Sequence, residues 1–184
     1  MTTTFYLVRH GQPDWQWAEE RRFYGPASTY IPLTAEGVAQ IEAAARNPRL
    51  REASLILASP YTRTMQSAQI LSRRLDLPVT VEWDLHEWLY DLDMRGDLPQ
   101  PGERYGMEDM SRCFVQYMES TELTGEDNCE THAAIARRVL NCLRRYDGTQ
   151  KAILVACHEG VIRSITGLKK VDMAQIVPFT LPRT

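Results

Sequence analysis

The sequence predicts an α/β fold, a three-layer sandwich in which a mostly parallel central sheet is flanked by helices. Three observations predict it. Short apolar, β-prone runs alternate with segments of helical spacing along the chain. The most apolar run, residues 152–157, has no polar alternation, which suits a strand buried on both faces of a parallel sheet. Composition is that of an ordinary globular protein, 43% hydrophobic and 24% charged in 184 residues, enough for a single domain over 1–184 to close its own core. No repeat, linker or low-complexity segment interrupts the pattern.

Residues 4–8 are short, apolar and β-prone and stop at Gly11-Gln12-Pro13, a strand feeding a loop. Residues 12–33 hold Trp, Tyr, Arg and Pro without periodicity and read as a structured loop. A helix follows to about residue 46, with Thr34 placed to cap it and Asn47-Pro48 to end it. Residues 54–58 read as a second buried strand, broken by Ser59-Pro60. Met65, Ala68, Leu71 and Leu75 then mark a helix over 61–75. Residues 79–82 read as a third strand and 84–104 as a loop rich in Gly and Pro. Met107, Met110, Phe114, Tyr117 and Met118 predict a helix. Ile135, Val139, Leu143 and Tyr146 predict another over 131–146, closed by Asp147-Gly148. The strand 152–157 turns at His158-Glu159-Gly160 into a helix over 161–166. Ile176-Val177-Pro178-Phe179 suits a last edge strand, where proline is tolerated.

A net charge of −3 argues against a nucleic-acid partner, which would call for a basic face. An anionic ligand would have to meet a local positive cluster set in an overall negative field. The longest apolar run has six residues, whereas a membrane span needs roughly 20, so no membrane partner is expected. The start, Met1-Thr2-Thr3-Thr4, has neither the basic region nor the apolar run of a signal peptide. The four cysteines are widely spaced, with no C-x-x-C pair. These signs point to a soluble cytoplasmic protein.

In open parallel sheets, ligands bind beyond the carboxyl ends of the strands. Three such ends carry reactive groups here: Arg9-His10-Gly11, Ser59-Pro60-Tyr61-Thr62-Arg63, and Cys157-His158-Glu159-Gly160. A lone strand-end histidine is more often structural, but two of the four histidines fall at equivalent places beside two arginines. Such a set makes a phosphate pocket, because arginine offers a planar fork of donors to a pair of phosphate oxygens. His86 and His132 lack that context and read as surface or structural. No H-x-x-x-H or H-E-x-x-H spacing occurs, so no metal is expected.

The chain resembles the histidine phosphatase, or phosphoglycerate mutase-like, superfamily. Leu7-Val8-Arg9-His10-Gly11 is similar to its opening R-H-G strand, and Leu33-Thr34-Ala35-Glu36-Gly37 to its L-T-x-x-G segment. Ser59-Pro60-Tyr61-Thr62-Arg63 is similar to its S-P-x-x-R, and Leu85-His86-Glu87 to the L-x-E that carries its acid. Glu130-Thr131 with Arg137-Arg138-Val139 is similar to its G-E-S…R-V helix, and His158-Glu159-Gly160-Val161-Ile162-Arg163 to its H-G-G-V-I-R. The tripeptide is weak alone; six segments in order are strong. The resemblance implies His10 as nucleophile through a phosphohistidine, and Arg9, Arg63 and His158 around the phosphate. It implies Glu87 as the acid, then the base for water, with no cofactor. The substrate would be a small-molecule phosphomonoester.

Three positions depart from that pattern. Pro13 stands where the family has Ser or Thr, Gln16 follows Trp15 where it has Asn, and Glu159 replaces Gly. Gln16 remains a candidate phosphate donor, and Glu159 offers its backbone N–H and is a secondary candidate for the acid. A cysteine-dependent phosphatase is a rival, since Cys157 and Arg163 fit C-x5-R on a strand-loop-helix. A non-catalytic phospholigand-binding protein is another, and a phosphoglycerate mutase a third. Hydrolysis is favoured over mutase chemistry, because a mutase must shield its phosphoenzyme and 184 residues leave little room for the insertions used in larger mutases. Trp15, Trp17, Phe23, Tyr24, Trp88 and Tyr90 either line the entrance or cover the core.

Overall fold

The computed structural model describes residues 2–23, 25–89 and 130–182. Strands β1 (Thr4–Arg9), β2 (Ala53–Ala58), β3 (Val79–Val81), β4 (Ala152–Cys157) and β5 (Ile176–Phe179) form one sheet in the order β3-β2-β4-β1-β5. β1 to β4 run parallel, and β5 lies antiparallel on the β1 edge. The helices are α1 (Trp15–Glu20), α2 (Ala35–Ala44), α3 (Thr62–Leu75), α4 (His132–Arg144) and α5 (Glu159–Thr166).

The α/β sandwich is as the sequence predicts. β4 lies in the middle of the sheet and all six of its residues are buried. Its alternate side chains feed two cores, as the pleat requires. Ile153, Val155 and Cys157 join Phe5 and Leu7 of β1 against Ile135, Val139 and Leu143 of α4 and Val161 and Ile162 of α5. Leu154 and Ala156 join Tyr6, Val8 and Ile56 against Ile41 of α2 and Ala68 and Leu71 of α3. Pro178 sits in the edge strand β5, where a missing N–H costs least.

Residues 12–33 are more regular than the expected loop. Asp14 caps α1 by accepting from Trp17 N at 2.9 Å, a 3-10 turn covers Gly25–Tyr30, and Pro13 bridges Leu33. Such a short helix buries only Ala18 and leaves no apolar periodicity to detect. α4 stops at Arg144, ahead of Gly148, which takes φ 77° in the following turn. The helix expected around Met107 to Met118, most of the 84–104 loop, Tyr24 and Tyr90 lie outside the described residues.

One close approach locks the chain leaving β1. Thr34 caps α2 through Gly37 N at 2.9 Å, and its own N–H donates to the Gln12 carbonyl. A Cβ on Gly37 would stand 2.3 Å from the Gln12 oxygen, and one on Gly11 2.1 Å from the Gly37 oxygen. Both positions therefore require glycine for space. Gly37→Ala is expected to cost about 1–3 kcal/mol in urea unfolding, the usual range for forced overpacking. It should also lower activity, because Gln12 lies two residues from His10.

Candidate active site

Strand register assembles the site. Arg9 pairs with Cys157 across β1 and β4, and Ala58 with Ala156 across β2 and β4. The residues that follow, His10, Ser59 and His158, therefore leave the sheet side by side at its carboxyl edge. His10 N donates to the Cys157 carbonyl and Ser59 N to that of Ala156, each at 3.0 Å. The His10 and His158 rings lie 5.3 Å apart, edge to face. Both are buried, at 5% and 0% exposure.

Hydrogen bonding assigns the His10 tautomer. Nδ1 lies 2.7 Å from the Gly11 carbonyl, which can only accept, so Nδ1 carries the proton and Nε2 keeps a lone pair. Arg63 Nε reaches that nitrogen at 3.3 Å. Arg63 projects from the first turn of α3, bonds the Ser28 carbonyl at 3.0 Å, and stacks 5.0 Å over the Tyr61 ring. Burial, with Arg63 and Arg9 adding to it, lowers the His10 pKa from 6.5 to about 3. The ring is thus held neutral. Unfolded chains take up this proton below about 6.5, whereas the native ring binds it only near 3, so acid favours unfolding. Stability contributed by this group is complete above 6.5 and declines as pH falls through that window. Urea unfolding from pH 7 down to 4 should show this loss, and His10→Ala should flatten it.

His158 is held by a hydroxyl instead of a carbonyl. Ser59 Oγ lies 2.8 Å from its Nε2 and accepts, at 3.5 Å, from Tyr61 N. The serine oxygen has a second lone pair and a hydrogen, so this contact is compatible with either ring tautomer. The other ring nitrogen, Nδ1, is buried and has no protein partner among the described residues. Burial and then Arg63 hold this ring well below its ordinary pKa. Tyr61 packs 5.0 Å from the His158 ring, and burial pushes its phenol up to about 12. Ser59 and Tyr61 had no assigned role in the sequence reading. A hydroxyl at a strand end directly before the predicted arginine helix is the signal that could have found Ser59.

Glu87 enters from the segment after β3. Its Oε1 accepts from Trp88 N at 2.9 Å and its Oε2 from Gly160 N at 3.4 Å, which brings it to the α5 N-terminus beside His158. A buried pair holds this segment. Arg138 of α4 grips Glu130 through Nε–Oε1 at 2.5 Å and Nη2–Oε2 at 2.9 Å. Glu130 in turn takes Trp88 Nε1 on its carbonyl at 2.6 Å and Leu89 N on Oε2 at 3.2 Å. Trp88 is thereby anchored against the core rather than lining an entrance. His86 is buried with Nδ1 on the Glu87 carbonyl at 2.7 Å, in keeping with a structural role.

Other expected ligands are placed differently. Gln16 is exposed on α1 and its amide donates to Glu20 at 3.1 Å, so the structure does not bring it to this cluster. Arg9 donates through Nη1 to the Val171 carbonyl and pairs with Glu159 Oε2 at 3.0 Å, while its Nε is buried with no partner among the described residues. The Glu159 side chain is committed to Arg9 and to Val171 N. Trp17 packs edge-on against Phe23 at 5.1 Å, whereas Trp15 is 58% exposed. Cys157 is fully buried inside β4, and burial pushes its thiol far up, away from the thiolate a cysteine phosphatase needs. Among the described residues Glu82, Asp84 and Cys142 place possible metal-ligand atoms within 4.8 Å, but Arg145 and Tyr146 already bond those carboxylates.

The chain belongs to the histidine phosphatase superfamily, branch 1, whose family model matches residues 5–184. Over 82 residues it is 37% identical to "Probable phosphoglycerate mutase GpmB" of Enterobacter sp. (strain 638), covering 45% of this chain and 36% of that protein. The aligned part thus spans about a third of the curated relative's length. In fold it is similar to a mycobacterial protein described as hydrolase 1, with a TM-score of 0.70 and 19% identity over 98% of this chain and 91% of the other. It is also similar to a mycobacterial glucosyl-3-phosphoglycerate phosphatase solved with VO3, with a TM-score of 0.69 and 20% identity over 96% and 90% of the two chains.

Proposed function

We propose that this protein is a phosphomonoester hydrolase working through a phosphohistidine on His10, with the 184 residues acting as a single catalytic domain. The observation that carries the reading is the His10 ring itself. It is buried and neutral, with its Nε2 lone pair facing Arg63 Nε at 3.3 Å. A neutral imidazole so oriented is a nucleophile, and the adjacent guanidinium matches an incoming phosphate.

In the first step Nε2 attacks phosphorus as the P–O bond to the alcohol breaks. Glu87 protonates the departing oxygen, which would otherwise leave as a poor alkoxide. Charge spreading over the phosphoryl oxygens meets Arg63, His158 and the free edge of Arg9. In the second step the Glu87 carboxylate takes a proton from water, the oxygen attacks phosphorus, and the P–N bond breaks. Inorganic phosphate leaves and His10 is restored. Each group returns to its starting state, so the protein's own residues balance the cycle.

Cytoplasmic residence fits the buried free thiols of Cys142 and Cys157. Among the described residues no helix is long and apolar enough to cross a membrane. A rapid quench with p-nitrophenyl phosphate tests the reading: an acid-labile, base-stable phosphoryl group should map to His10. Turnover without such an adduct would remove the phosphohistidine mechanism, and neither turnover nor adduct with folding intact would favour a phospholigand-binding role.

A further inference from the structure

Each arginine of the site has a carboxylate within its field. Arg138 is clamped by Glu130 and Arg9 is paired with Glu159 at 3.0 Å. Arg63 has Glu87 as its leading opposite charge. The histidines contribute nothing, since burial keeps both His10 and His158 neutral. Arg63 bonds His10 Nε2 and the Ser28 carbonyl and lies over Tyr61, whereas Arg9 is in direct contact with a carboxylate. Lys170 and Asp172 next to the Arg9 clasp are fully exposed and pair with each other at 2.8 Å, so they do not alter this balance.

Of these carboxylates, Glu159 is the one in direct contact with Arg9. Helix polarity favours an acid in the first turn of α5, but does not require it to turn onto Arg9. The turn is made by a three-way clasp. Glu159 Oε1 accepts from Val171 N at 3.3 Å, Glu159 Oε2 meets Arg9 Nη1 at 3.0 Å, and that same Nη1 donates to the Val171 carbonyl. The clasp consumes one edge of the guanidinium and leaves Nε, buried and without a described partner, on the other. Arg9 is thus oriented and its charge offset together. The side chains are only 15% and 26% exposed, so water screens the pair weakly.

We infer that Glu159 is a specificity-determining residue: by offsetting Arg9 it favours phosphomonoesters of uncharged alcohols over those whose alcohol carries a carboxylate or a second phosphate. The inference rests on the hydrolase reading above. With Arg9 offset, the described residues leave less positive charge for a second anionic group beside the phosphate.

Two probes differ only at the end remote from phosphate: glycerol 3-phosphate ends in a hydroxymethyl group and 3-phosphoglycerate in a carboxylate. The wild-type enzyme should show the higher kcat/KM on glycerol 3-phosphate, and that preference should shrink as salt rises. Glu159→Gln keeps an acceptor for Val171 N but removes the charge. It should narrow the preference by about tenfold, chiefly through a lower KM for 3-phosphoglycerate. Glu159→Asp should restore most of it, which a merely structural role would not do. Wild-type preference for 3-phosphoglycerate, or a ratio that responds neither to salt nor to Glu159→Gln, would overturn the inference. The salt series needs only the wild-type protein, so a poorly folding variant leaves the test standing. If p-nitrophenyl phosphate gives no phosphohistidine on the wild-type enzyme, the hydrolase reading fails instead. If the adduct forms and the ratio does not move, only the inference about Glu159 fails.

Discussion

His10→Ala is expected to lower kcat by at least about a thousandfold and to abolish the acid-labile phosphoenzyme, because it removes the attacking lone pair itself. The ring contributes a hydrogen bond to the Gly11 carbonyl, a contact to Arg63 and edge-to-face packing on His158, none of them a sheet bond, so its removal leaves the sheet register intact. The variant should therefore fold, and circular dichroism would verify it. Its stability should also be less sensitive to acid than that of the wild type, because the group that resists protonation is gone. Cys157→Ser is the matched control. It places a hydroxyl in an apolar strand and is expected to cost stability while leaving the phosphoenzyme able to form. A Cys157→Ser protein that folds but forms no phosphoenzyme, beside an active His10→Ala, would reverse the assignment and revive the cysteine mechanism.

Arg138→Ala is expected to be the most destabilising of the substitutions considered. Glu130 has a side chain only 5% exposed, and Arg138 supplies both of its charged bonds. Truncating the arginine leaves an uncompensated buried carboxylate, a change that costs about 3–5 kcal/mol in comparable pairs. Arg138 Nη1 also holds the Asp84 carbonyl at 2.6 Å, so the segment leading to Glu87 loses a second tether. Activity should fall along with stability, through kcat more than KM, because the acid is displaced while Arg63 and His10 stay in place. Replacing both partners with apolar residues of similar volume should cost less than either single change. Urea unfolding of the two single variants and the double gives the coupling directly. Additive losses would mean that the pair does not act as a unit.

The reactive positions were legible because they sit at strand ends, and strand ends are marked by local pattern. An apolar run followed by a glycine or proline break placed Arg9-His10, Ser59 to Arg63 and His158 at turns. Parallel register then had to bring them to one edge. The short α1 was not legible, since a helix that buries one residue leaves no period. Nor was the fate of Gln16, whose amide is satisfied one turn along its own helix.

Side-chain direction was decided only by tertiary structure. The sequence by itself determined an α/β sandwich, two histidines and two arginines at the carboxyl edge of its sheet, and an acid on a separate segment. It could not determine which nitrogen of His10 carries the proton, or what holds the His158 ring. The first is set by the Gly11 carbonyl, and the second by Ser59, 99 residues away in the chain. It could not show that Glu159 turns onto Arg9, or that Glu130 and Arg138 hold the Glu87 segment. The physical reason is common to these cases. Backbone conformation follows from neighbours in sequence, whereas a buried polar side chain takes the direction in which its hydrogen bonds and charge are satisfied, and those partners are supplied by the fold.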